Sequence, residues 1–162
     1  MDELTQYLKS NKCYTKLKLE QILNKKIIIT KNHIGNIDLE YHNLFDFNII
    51  KLFEKYGYCF TNDDYILLVG RRGAIIKDMS DAKKTDAICK IAISRYWYAI
   101  KYIPEDKKTI EMCKIAVLYD GQLLEYVPND KKTDKICEIA VGQTIHALRF
   151  VPDNKKYLFI KK

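Results

Sequence analysis

Residues 107–130 read KKTIEMCKIAVLYDGQLLEYVPND. Directly before them stands KKTDAICKIAISRYWYAIKYIPED (83–106), and directly after them KKTDKICEIAVGQTIHALRFVPDN (131–154). The period is 24 residues without a gap, and the outer two copies agree at ten positions. Self-similarity at a period of this size marks stacked repeat architectures, so the repeat is the frame for everything else.

Each unit reads as two short helices. Thr85, Thr109 and Thr133 fit as N-caps, because a threonine oxygen accepts a bond from an orphan backbone N–H. Asp86 and Asp134 follow, where negative charge suits the positive end of the helix dipole. Ile88, Ile91 and Ala92 recur at helical spacing, as do Met112, Ile115 and Ala116, and Ile136, Ile139 and Ala140. After a break comes a second apolar set: Ala99, Ile100 and Ile103, then Leu123, Leu124 and Val127, then Ala147, Leu148 and Val151. Pro104, Pro128 and Pro152 close the second helices, because the residue before a proline avoids helical geometry. Helices of about ten residues are marginal alone and draw their stability from packing. The expected fold is therefore mainly α, with short two-helix units stacked as an α-solenoid over residues 59–162.

The register extends upstream to CFTNDDYILLVGRRGAIIKDMSDA (59–82). Thr61 falls on the cap, Val69 on Val117 and Gly73 on Gly121, while Asp64 and Ser80 depart from the pattern. This is a degenerate first unit, since terminal repeats are atypical. Its LLVGRRGAII (67–76) resembles a glycine-rich phosphate loop when read alone. In register it is a helix–helix turn. The tail KKYLFIKK (155–162) begins a further unit and covers the open end.

Residues 1–58 read as a small α+β module. Helices are expected over 2–10, 16–23 and 45–57, with Phe47, Ile50 and Phe53 inward on the last and Gly57 as its stop. The β-rich KIIIT (26–30) and the alternating NIDLEYH (36–42) suggest a hairpin around KNHIG.

Composition agrees with a helical globular chain. Hydrophobic residues make up 48% and charged residues 30%, with only 3 Pro and 6 Gly. The net charge of +7 admits nucleic acid, an anionic surface or an acidic protein as partner. No run approaches the ~18 apolar residues of a membrane span, and the charged N-terminus lacks a secretory core. Five cysteines, an odd number without C-x-x-C spacing, point to a reducing intracellular compartment.

The unit K-K-T-x-x-x-C-x-x-A-V…G-x-x-L-x-Y-V-P resembles a short α-helical repeat family of unknown function found in giant amoebal DNA viruses, the mimivirus relatives. Residues 107–130 match best, through Cys113, Ala116, Val117, Gly121, Leu124, Tyr126 and Pro128. The resemblance covers 83–154 well, 59–82 weakly and 1–58 not at all. Trp97 and Ile145 stand where glycine is usual. The resemblance implies an intracellular viral repeat protein, located in host cytoplasm or viral factory or packaged in the virion. It brings no active site.

The candidate sites follow from the repeat. Cys89, Cys113 and Cys137 recur, but equivalent positions in stacked units lie about 8–10 Å apart. That is too far for a disulfide or a shared zinc, so they read as buried hydrophobes, and no metal or cofactor is expected. The pairs Lys83-Lys84, Lys107-Lys108, Lys131-Lys132 and Lys155-Lys156 form either a basic ladder for a phosphate backbone or a solvated loop edge. The turns carry Arg71, Arg72, Arg95, Tyr96, Trp97, Tyr98 and Tyr119. Arginine, tryptophan and tyrosine are enriched in binding hot spots, although Trp97 can equally fill a packing gap. His33, His42 and His146 are scattered, and Asp63-Asp64 is explained by the helix dipole. The expectation is a non-enzymatic scaffold that binds a viral or host protein through its turns. The alternatives are nucleic-acid binding along the lysine edge and self-association as a virion component.

Overall fold

The structure is a computed structural model that describes residues 3–10, 16–23, 30, 33 and 49–160. It is mainly helical, and no strand occurs among the described residues. The α-helices are α1 (Glu3–Ser10), α2 (Lys16–Leu23), α3 (Ile49–Lys55), α4 (Asn62–Arg71), α5 (Asp86–Arg95), α6 (Ile110–Tyr119), α7 (Asp134–Gln143) and α8 (Tyr157–Ile160).

The starts of α4 to α7 fall 24 residues apart, each behind a threonine cap. The hydroxyls of Thr85, Thr109 and Thr133 accept from the amides of Ile88, Met112 and Ile136 at 3.4, 3.2 and 3.3 Å. The Asp64 departure has a local cause. Thr61 Oγ1 accepts from the Asp64 amide at 3.3 Å, and Asp64 Oδ2 accepts in return from the Thr61 amide at 2.9 Å. This is a capping box. The same Asp64 oxygen accepts from Thr61 Oγ1 at 2.7 Å and from the Tyr58 hydroxyl at 3.0 Å, so the carboxylate is fully buried yet bonded.

The second helix of each unit is 3₁₀ rather than α: Gly73–Asp78, Trp97–Tyr102, Gly121–Tyr126 and Ile145–Phe150. A single extended residue separates it from the α-helix before it: Arg72, Tyr96, Asp120 or Thr144. Only six residues then remain before the extended residue ahead of each proline or of Ser80. Wound as 3₁₀ at about 2 Å per residue they span about 12 Å. That approaches the ~15 Å of a ten-residue α-helix at 1.5 Å per residue. The polar linkers also close into single 3₁₀ turns, Asp81–Lys83, Glu105–Lys107, Asn129–Lys131 and Asp153–Lys155.

Each α-helix from α4 to α7 packs on the next, and each six-residue 3₁₀ helix packs on the next. Two rows of helices result, and the buried side chains between them form one apolar cluster running from Leu4 to Val151. Glycine is required at two of the four equivalent positions that open the 3₁₀ helices, the other two being Trp97 and Ile145. A Cβ on Gly73 would stand 2.7 Å from the Ala92 carbonyl oxygen, and one on Gly121 would meet the Ala140 carbonyl inside contact distance. Ile145, at the equivalent place in the last 24-residue unit, is 65% exposed.

Among the N-terminal elements, α1 and α2 match their expected positions and α3 lies within 45–57. Gly57 has φ +86°, in the left-handed region. Its N–H donates to the Glu54 carbonyl, and that of Tyr58 to the Phe53 carbonyl, both at 3.0 Å. This Schellman motif ends α3. Helix α3 packs against 73–78, and Tyr65 reaches back to Glu54 at 3.4 Å. The expected strands 26–30 and 36–42 lie outside the described residues apart from Thr30, which is not in a strand. His33, between them, is helical and buried, and its Nδ1 accepts from the Thr30 amide at 2.9 Å. At the other end Phe159 of α8 packs against the core, while Tyr157 is exposed.

Candidate partner-binding surface

The turn between each α-helix and its 3₁₀ partner brings side chains of successive units together. LLVGRRGAII forms such a turn: α4 ends at Arg71, Arg72 is extended, and Gly73 opens the 3₁₀ helix. No strand precedes these glycines, so the phosphate-loop geometry is not built. A hollow of ≈ 20 Å³ beside the turn, lined by Arg72, Ala74, Ile75, Lys77 and Asp78, holds no more than about one water.

Trp97 and Tyr119 come from adjacent units and stack with centroids 5.1 Å apart and planes 14° off parallel. Both remain exposed, at 41% and 67%. Trp97 thus packs on a neighbouring unit and is also partly open to solvent. Tyr96 is half-buried against the core and sits 6.3 Å from Trp97 and 6.0 Å from Tyr98. Burial raises the Tyr96 phenol, and the neighbouring phenols of Tyr102 and Tyr98 add to the shift. Tyr98 meets Tyr126 edge-on at 6.2 Å, and Lys101 Nζ lies 5.7 Å from both rings. Tyr126 and Tyr98 accordingly hold the Lys101 ammonium above its ordinary range. Arg71 and Arg95 are exposed at the position equivalent to Tyr119, whereas Arg72 is half-buried.

The lysine pairs are not a ladder. Lys84, Lys108 and Lys132 are only 6%, 5% and 8% exposed. Each Nζ donates to the last carbonyl of its own unit's 3₁₀ helix: Tyr102 at 2.6 Å, Tyr126 at 2.7 Å and Phe150 at 2.9 Å. The separation is 18 residues in every case. The orphan carbonyls at a helix C-terminus attract a cation, which the second lysine supplies from the start of the unit. Burial pushes the Lys108 and Lys132 ammoniums down.

The first lysines act differently. Lys107 Nζ crosses back along the chain and donates to the carbonyls of Lys84 in the preceding unit at 2.7 Å and of Asp81 in the unit before that at 3.0 Å. Lys131 pairs with Asp130 at 3.2 Å and Lys155 with Asp134 at 2.7 Å. Lys156 pairs with Asp153 at 2.7 Å. Lys83 alone of the eight is exposed. Neither a phosphate-tracking edge nor a solvated loop describes Lys84, Lys108 and Lys132, and partners so distant in sequence give no local signal.

Cys89, Cys113 and Cys137 are fully buried. Burial raises each thiol, that of Cys113 to about 11. Among the described residues no three His, Cys, Asp or Glu side chains converge as a metal site. His146 is exposed, and Asp64 serves its cap; His42 lies outside the described residues. None of the described helices is long and apolar enough to cross a membrane.

Ile110 and Leu118 of α6 were missed as surface residues; they are 52% and 48% exposed. Comparing units position by position could have found them. Ile110 stands where the sister units have Asp86 and Asp134, and Leu118 where they have Ser94 and Gly142. No protein family, curated protein or solved structure matches the chain.

Proposed function

We infer that this is a non-enzymatic scaffold protein that binds another protein through the inter-helix turns of an α-solenoid. The solenoid reading is supported by helices that pack chiefly on their sequence neighbours around one continuous core. The observation that carries the binding reading is the exposed stack of Trp97 on Tyr119. Tryptophan and tyrosine are enriched at protein interfaces and in their hot spots. An intracellular setting and membership of the giant-virus repeat family belong to the same proposal. They are supported by the repeat motif and the unpaired thiols.

Burial of Lys84, Lys108 and Lys132 removes most support from the nucleic-acid alternative. The test is affinity purification from the native cell with the full chain and with a Trp97→Ala/Tyr119→Ala variant, its fold checked by circular dichroism. The expected result is a protein partner captured by the first and lost from the second. Equal capture by both, or no protein partner at all, overturns the reading.

A further inference from the structure

Tyr98 and Tyr126 belong to adjacent 3₁₀ helices, Trp97–Tyr102 and Gly121–Tyr126, that pack on each other. The repeat shows how unusual the pair is. The same two positions hold Ala74 and Tyr102 at the unit boundary before it, and Gln122 and Phe150 at the boundary after it. Of these boundaries, only the middle one sets a phenol against a phenol.

The two rings meet edge-on with centroids 6.2 Å apart. Tyr98 acts on the Tyr126 phenol through a side-chain hydrogen bond, the largest of the causes that raise it. A bond between phenol oxygens also brings the neighbouring ortho ring carbons toward each other. This selects Tyr126 over Tyr96, which lies 6.0 Å from Tyr98 and which Tyr98 influences through charge. Lys101 Nζ lies 5.7 Å from both rings of the pair, where cation–π attraction holds them on either side of one ammonium. Both tyrosines are half-buried. A small oxidant reaches their ring edges more easily than a phenol from a second chain does.

That arrangement suits one reaction. One-electron oxidation of a phenol removes an electron and the O–H proton and leaves a phenoxyl radical with spin on its ortho carbons. Two such radicals form a carbon–carbon bond between those positions. Each ring then loses the proton at the new bond and regains its O–H. Two phenols and one peroxide thus give one dityrosine and two waters. Radical coupling needs two partners, so a pair already in contact gains an effective concentration that dilute chains do not reach.

We propose that Tyr98 and Tyr126 are an oxidative cross-linking site. Under a peroxide activated by a haem peroxidase their rings couple into dityrosine and staple the 3₁₀ helices of adjacent units together. The site is independent of partner binding.

The test treats dilute full-length protein with hydrogen peroxide and a soluble haem peroxidase. Expected are dityrosine fluorescence in the monomer band of a denaturing gel and a covalent link between the peptides that hold Tyr98 and Tyr126. Tyr126→Phe and Tyr98→Gln introduce the side chains that Phe150 and Gln122 supply at equivalent positions, and circular dichroism checks that both variants fold. Both should lose the intramolecular product. Tyr157→Phe removes an exposed phenol elsewhere and should keep it. A cross-link removes loop-closure entropy from the unfolded chain, so the treated parent should melt roughly 10 °C above the equally treated Tyr126→Phe variant.

Absence of dityrosine from the treated parent overturns the proposal, as does dityrosine found only in dimers. A link mapped to Tyr96, Tyr119 or another phenol, or product undiminished in Tyr126→Phe, does the same. Equal melting of the treated parent and the treated variant overturns the staple.

Discussion

Replacing Lys108 with methionine keeps an unbranched apolar stem and removes only the ammonium. The Nζ bond to the Tyr126 carbonyl, 2.7 Å long, is lost in a site where Lys108 is 5% exposed. A charge-assisted hydrogen bond contributes about 1.5–3 kcal/mol net, and the stranded carbonyl adds a desolvation cost. Against this, methionine removes the burial penalty that holds the lysine's pKa down. The expected loss is about 1–3 kcal/mol, or a fall in Tm of about 3–10 °C for a chain of this size. The assay is urea denaturation followed by circular dichroism, with Lys83→Met as control. Lys83 is exposed, so its replacement should stay within about 0.5 kcal/mol of the parent.

The pH dependence has a definite sign. The folded pKa of Lys108 is depressed, so the unfolded chain binds more protons between that value and 10.5. Parent stability relative to Lys108→Met should therefore rise with pH across that window. Lys108→Met proving as stable as Lys83→Met would refute the buried-clamp account, because both lysines would then behave as solvated surface charges.

Gly121→Ala drives a Cβ into the Ala140 carbonyl, and the overpacking should cost about 1–3 kcal/mol in denaturant titration. Gly142→Ala meets nothing within 4 Å inside α7 and should stabilise by about 0.5–1 kcal/mol. At pH 8 a thiol reagent should label exposed Cys59 quickly, and label Cys89, Cys113 and Cys137 only after denaturant is added, as peptide mass mapping would show. The phenols of Tyr58 and Tyr65 are raised to about 12, chiefly by burial, with Asp64 and Glu54 contributing. The folded chain then holds more protons than the unfolded chain above pH 10, so stability should fall as pH climbs from 10 to 12. Ultraviolet titration of phenolate against circular dichroism would show the two transitions together.

Local signals were legible wherever cause and effect lie within one helical turn. The threonine caps, the 24-residue period and the Gly57 stop could all be read from residue type and spacing. The turn residues Trp97 and Tyr119 were legible as candidates, but their stacking was not, because it depends on how adjacent units pack. The 3₁₀ winding of the second helices was also hidden. Apolar spacing marks a helix, while the length to be spanned between packed rows decides its pitch.

By itself, the sequence determined the repeat, its phase and the ends of its α-helices, since caps and stops act over three or four residues. Only the tertiary structure decided what the paired lysines do. Lys84, Lys108 and Lys132 find their acceptors 18 residues away, after the chain has gone out along an α-helix and returned along a 3₁₀ helix. It likewise decided that Gly73 and Gly121 leave no room for a Cβ, and that Ile110, Leu118 and Tyr119 of α6 stay exposed. Each of these depends on which surfaces the packed units cover, a property of the stack that no single unit possesses.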